Sequence, residues 1–157
     1  MGPSNSRVWE VTYSTSGGYD KFSPCYLAAK YGHLSSLKKW TRKIGCDWDA
    51  VTCFVAAAGG HLSCLKGLRE NGCDWDADTC SSAARSGHLA CLKWARENRC
   101  DWHANTCCVA ARSGHLSCLK WARENGYDWN KLTYMFAELS HNTDVLNYVI
   151  DQGCPRG

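Results

Sequence analysis

Twelve cysteines and six histidines stand in a chain of 157 residues, and thiols beside imidazoles can hold zinc or act as nucleophiles. The nearest approach to such chemistry is His-x-x-Cys, at His61/Cys64, His88/Cys91 and His115/Cys118. Residues three apart on a helix share a face and could share a zinc ion. No Cys-x-x-Cys pair accompanies them, and a Cys–His nucleophile is built once per active site, whereas these dyads recur. No phosphate-binding loop, glycine-rich dinucleotide turn or paired-carboxylate site is present. Asp47, Asp74, Asp101 and Asp128 each precede a tryptophan once per repeat, the mark of a turn residue over a general acid.

Eleven of the cysteines fall in three columns: Cys25, Cys53, Cys80 and Cys107; Cys64, Cys91 and Cys118; Cys46, Cys73, Cys100 and Cys154. Only Cys108 stands apart. Members of one column sit on stacked elements about 8–10 Å apart, beyond the ~7 Å Cα separation that a disulfide spans. Bridging within a column is therefore disfavoured. Met1 to Glu10 lacks the apolar core of a secretion signal, which implies an intracellular protein, cytoplasmic or nuclear, with reduced thiols. Free cysteine packs as a small apolar residue. The columns are read as core, and neither metal nor another cofactor is expected.

The elements behind these columns are repeats. Gly-His-Leu occurs at 32–34, 60–62, 87–89 and 114–116, at spacings of 28, 27 and 27. A fifth step lands on His141-Asn142-Thr143, where the tripeptide is lost but the flanks persist. The units run 23–50, 51–77, 78–104, 105–131 and 132–155, after an extension or degenerate half-unit over 1–22 and before a 156–157 tail. Each unit reads as two helices. In unit three, Thr79 is the expected N-cap of a helix over 80–85, and Gly87 ends it. A second helix runs from about His88 to Asn98, with Leu89, Leu92 and Ala95 on one face. Units two and four close that helix with Asn-Gly; unit three has Arg99 there, which is expected at positive φ. Such a pair cannot bury its own apolar face, so stacking into a solenoid follows. Unit five is more polar and reads as a C-terminal cap.

Ser23-Pro24-Cys25-Tyr26-Leu27-Ala28-Ala29, followed by Gly32-His33-Leu34, resembles the core of an ankyrin repeat, and the same register continues through residue 155. At 27 residues the units are shorter than the family's ~33. The missing residues fall between Trp102 and Thr106, where the family's β-hairpin finger would lie. The short, Cys- and Trp-rich form is similar to tandem arrays of giant DNA viruses, algae and other protists. The resemblance implies an all-α, ankyrin-like helix-turn-helix solenoid with shortened or absent fingers. It implies a non-catalytic module that binds a protein partner on its concave face, acts as a monomer and takes no small-molecule substrate. The reading from another class is a zinc- or redox-linked Cys/His-rich protein.

Two aromatic columns bear on a third reading. Trp48, Trp75, Trp102 and Trp129 form one, and Trp40, Trp94, Trp121 and Tyr148 the other. Spaced aromatics can stack on bases. A net charge of +3 gives little attraction to phosphates, and the recurrent Arg-Glu-Asn reads as a solvated, self-neutralised face, so nucleic-acid binding is disfavoured. No apolar run is long enough to span a membrane. Columns that vary between units are the candidate partner surface: Tyr26, Lys30, Tyr31, Asp49, Phe54, Asp76, Asp78, Ser81, Arg85, His103, Asn105, Cys108 and Arg112. By resemblance they line the concave face, apolar at Tyr26 and Phe54 and basic at Arg85 and Arg112.

Overall fold

The computed structural model describes residues 23–45 and 48–156. The expected N-terminal extension 1–22, the column members Cys46 and Asp47, and the last residue of the tail lie outside the described residues. Ten helices follow one another in pairs among those described: α1 (Pro24–Lys30) and α2 (Leu34–Ile44), α3 (Ala50–Ala58) and α4 (Leu62–Glu70), α5 (Ala77–Ser86) and α6 (Leu89–Glu97), α7 (Thr106–Arg112) and α8 (Leu116–Glu124), α9 (Lys131–Leu139) and α10 (Thr143–Asp151). No strand occurs among the described residues, so no β-hairpin finger stands between the pairs.

The first helices pack in sequence, α1 on α3, α3 on α5, α5 on α7 and α7 on α9. Small residues let their backbones approach: Ala28-Ala29, Ala56-Ala57, Ala83-Ala84 and Ala110-Ala111 are all buried. Unit five puts Glu138 at the second of these positions, exposed, where no further described helix covers it. The second helices form the other layer, with α4 against α2 and α6 and α8 against α6. Their buried stripes repeat as Cys64-Leu65, Cys91-Leu92 and Cys118-Leu119, and in unit five Val145 takes the cysteine's place, also fully buried. A thiol and an isopropyl group share one environment, as expected of a packing column.

Each second helix ends on a left-handed residue: Gly45, Gly72, Arg99, Gly126 and Gly153. Arg99 has φ 65°, as its position predicts. The start of α5 differs from expectation. Its N-cap is Asp76, whose carboxylate accepts the Asp78 N–H, and the helix begins three residues before Cys80. Thr79 lies in the first turn, fully buried, with its hydroxyl unpaired. Asp49 caps α3 and Asn130 caps α9 in the same way. At α3, α5 and α9 the helix-start role therefore belongs to the residue after Asp-Trp, because its side-chain oxygen reaches the free N–H groups of the first turn; α7 starts at Asn105 without a side-chain cap bond.

Candidate functional site

The site is built on the first helices and the loops entering them. Positions 51, 54 and 58 of α3 lie one turn apart, as do 78, 81 and 85 of α5, the N-cap 105 with 108 and 112 of α7, and 132, 135 and 139 of α9. The outer members of each stripe reach solvent: Val51, Asp78, Arg85, Asn105, Arg112, Leu132 and Leu139 are exposed. The central member is different. Ser81 is only 5% exposed and its hydroxyl lies 3.3 Å from Thr106 Oγ1 on α7. Cys108 is 1% exposed and its sulfur lies 3.4 Å from Thr133 Oγ1 on α9. Both were expected on the partner face and both are instead seams between adjacent units. Met135, their counterpart in unit five, is exposed for want of a described neighbour.

Tyr26 and Phe54 are half-buried against the core and show only an edge. Lys30 and Tyr31 are exposed, with the Lys30 ammonium 5.6 Å from the Tyr31 ring centre. Asp78 meets His103 across the unit boundary, Oδ1 to Nε2 at 3.0 Å. Arg112 lies over the Phe136 ring at 5.4 Å. The exposed surface is thus charged in units three and four and apolar toward unit five. Leu139 was missed in the sequence because Leu139-Ser140 precedes the point in unit five where Gly-His-Leu is lost, so it has no motif to align to.

The residues with chemical potential elsewhere are held by packing. The histidines of Gly-His-Leu occupy the N-cap positions of the second helices without a side-chain cap bond, and the rings of His61, His88 and His115 reach back to the preceding unit. A Cβ on Gly32, Gly60 or Gly87 would meet the ring of His61, His88 or His115 at about 2.4–2.5 Å. His61 Nε2 also lies 3.0 Å from the Lys30 carbonyl oxygen. Asn142 keeps the joint in unit five, donating to the Gly114 carbonyl. No group of three or more potential metal ligands occurs among the described residues. Burial pushes the Cys91 and Cys118 thiols up to about 11 and Cys107 to about 12, so they stay protonated and unreactive at neutral pH. Ten of the described cysteines are free thiols, whereas Cys25 is disulfide-bonded, a departure from the expectation that all are reduced.

The tryptophans are no open platform. Trp75 packs edge-on against Trp94, Trp102 against Trp121, and Trp129 tilts against Tyr148. Arg69, Arg96 and Arg123 stack over Trp75, Trp102 and Trp129 at 4.3, 4.4 and 5.0 Å. The same guanidiniums donate to the carbonyls of Cys73, Cys100 and Tyr127. Arg-Glu-Asn is therefore not a self-neutralised face: its arginine clamps the following loop. The Asp-Trp aspartates do less than expected: of the three described, Asp74, Asp101 and Asp128 are all exposed and Asp128 alone is ion-paired, 3.3 Å from Arg123.

This arrangement of paired helices defines an ankyrin-like repeat solenoid. The chain is similar to the crystal structure of the human ASB11 ankyrin repeat domain, with a TM-score of 0.72 and 22% identity over 85% of this chain and 70% of that one. No protein-family model matches the sequence, and a search of the curated proteins finds no match. No described helix is long and apolar enough to cross a membrane.

Proposed function

We propose that this protein is a non-catalytic protein-interaction module that holds its partner across the exposed stripe of the first helices and the loops entering them. The carrying observation is the contrast between positions. Cysteine, alanine and leucine repeat because they are buried in the core and the Gly-His joints because they lock neighbouring units, while exposed positions run Val51, Asp78, Asn105, Leu132 and Arg85, Arg112, Leu139. A scaffold needs the first set to be uniform; a binding surface uses the second to differ. Lys30, Tyr31, Asp76, Arg85, His103 and Arg112 are accessible members of that surface. Tyr26 and Phe54 contribute ring edges. Asp49 and Asp76 also cap helices, and Ser81 and Cys108 act only through packing. The stripe lies on the concave side, as the short alanine-rich first helices pack more closely than the second. The module works as a monomer inside the cell, in cytoplasm or nucleus, without nucleic acid.

Affinity capture from the native cell with Arg85→Glu/Arg112→Glu beside the unaltered protein tests this. Loss of one captured protein by ~10-fold or more, with the helical spectrum unchanged, is expected. Lys120→Glu on the second-helix layer is the control. Equal capture by both variants would sink the assignment.

A further inference from the structure

The first and third cysteine columns meet inside units two and three, a juxtaposition that comparing members of a single column hides. The Cys53 thiol donates to Cys73 Sγ at 3.3 Å. In unit three the Cys80 thiol donates to the Cys100 carbonyl oxygen at 3.9 Å, and the two thiols are close enough for Cys100 to raise the Cys80 pKa. Each pair joins the inside of a first helix to the loop after the second helix, 20 residues on. Cys73 and Cys100 also donate to the carbonyls of Asp49 and Asp76, each at 3.2 Å, so the third-column thiol ties its loop to the N-cap residue of its unit's first helix. In unit one, Cys25 is already disulfide-bonded. Unit four breaks the pattern: Tyr127 stands in the third column and its hydroxyl donates to the His103 carbonyl, leaving Cys107 without a thiol partner.

We propose that Cys53/Cys73 and Cys80/Cys100 are intra-repeat disulfide sites, closed and reopened by exchange with a small-molecule disulfide. Entry is through the third column. Cys73 and Cys100 are buried, yet the residues on both sides, Gly72 and Asp74 or Arg99 and Asp101, are exposed. Opening one turn uncovers the sulfur, whereas Cys53 and Cys80 lie inside helices. Arg99, non-glycine at φ 65°, loads that turn in unit three. Accepting the Cys80 hydrogen bond holds the Cys100 thiol below its ordinary range, which favours its thiolate as the attacking group.

The Cys100 thiolate attacks one sulfur of the incoming disulfide; that S–S bond breaks and one thiolate leaves. Cys80 then attacks the Cys100 sulfur of the mixed disulfide, its proton passing to the medium, and the second thiolate leaves. Two protein thiols are oxidised, and the small disulfide is reduced to two thiols that take up the two protons. Cys53 and Cys73 follow the same course.

Incubating the folded protein with glutathione disulfide at pH 8, blocking the remaining thiols and mapping peptides tests the assignment. Linked Cys53–Cys73 and Cys80–Cys100 peptides are expected, with Cys107 recovered blocked after denaturation. Oxidation should raise the thermal midpoint by about 5–10 °C. Cys80→Ser should halt at a persistent glutathione adduct on Cys100. Should that variant fail to fold, Tyr127→Cys serves instead, and a new link from position 127 to Cys107 is expected. Recovery of both native pairs as blocked thiols, links between units, or no new link in Tyr127→Cys would each overturn the proposal.

Discussion

Every repeat turns twice, and the two turns are secured differently. Between α3 and α4 the chain passes through Gly60, at φ 74°, with the His88 ring of the next unit packed where a Cβ would stand. After α4 it passes through Gly72, at φ 84°, with nothing within 4 Å of that site. The first turn is fixed by its neighbour; the second is fixed from within its own unit by Arg69, stacked on Trp75 and bonded to the Cys73 carbonyl. One glycine is needed for backbone angle and for space, the other for angle alone. The first turn therefore carries the stacking of the array, and the second carries the closure of each unit.

The largest effect that tests this contrast belongs to Gly60→Ala or Gly87→Ala. Left-handed strain of about 1–2 kcal/mol adds to overpacking of about 1–3 kcal/mol, read from the urea midpoint. Gly72→Ala should lose only the strain. Equal losses at the two turns would erase the distinction. Next comes Arg96→Ala, which removes a stack on Trp102 and a 2.6 Å bond to the Cys100 carbonyl. About 1–3 kcal/mol should go, and Arg96→Lys should recover little of it because an ammonium offers no plane to stack.

Smaller and opposite in sign, Arg99→Gly should stabilise by about 1 kcal/mol, making the closing turn of unit three like that of unit two. The last effect is alkaline. Folded Cys91 and Cys118 sit at about 11 against 9.0 for a free thiol, so above pH 9 the unfolded chain releases protons that the folded chain keeps. Stability is full below pH 9 and falls as pH rises from 9 to about 11, by about 1 kcal/mol per thiol at pH 10. Cys91→Val/Cys118→Val, copying Val145, should flatten that slope.

The succession of helix pairs and the conformation of Arg99 were legible in the sequence because each follows from spacing and from the backbone angle of one residue type. The N-cap of α5 was not. Thr79 and Asp76 both precede helical residues, and only the structure shows which oxygen reaches a free N–H. Ser81 and Cys108 vary between units, as binding residues do, yet they vary because each fits a different neighbour on the adjoining helix. Variation reports a difference in surroundings, and a seam has surroundings as particular as a surface. Arg69, Arg96 and Arg123 were misread because their carbonyl and indole partners lie beyond a chain reversal, out of reach of helical spacing. Lys30, Tyr31, Arg85 and Arg112 are exposed, each at or next to the end of a first helix just before a turn.

The joint between units also bears on how such a chain grows. Each Gly-His histidine from His61 onward reaches backward to a glycine of the preceding unit, and each glycine waits to receive the next ring. A duplicated unit therefore arrives with both halves of its joint, one for the neighbour behind and one for the neighbour ahead. Nothing on either side has to change to admit it. Asn142 shows that the receiving glycine tolerates an amide in place of an imidazole, so a newcomer can diverge at this position without detaching. The number of repeats is then a quantity that recombination can alter freely, and the length of the surface offered to a partner alters with it.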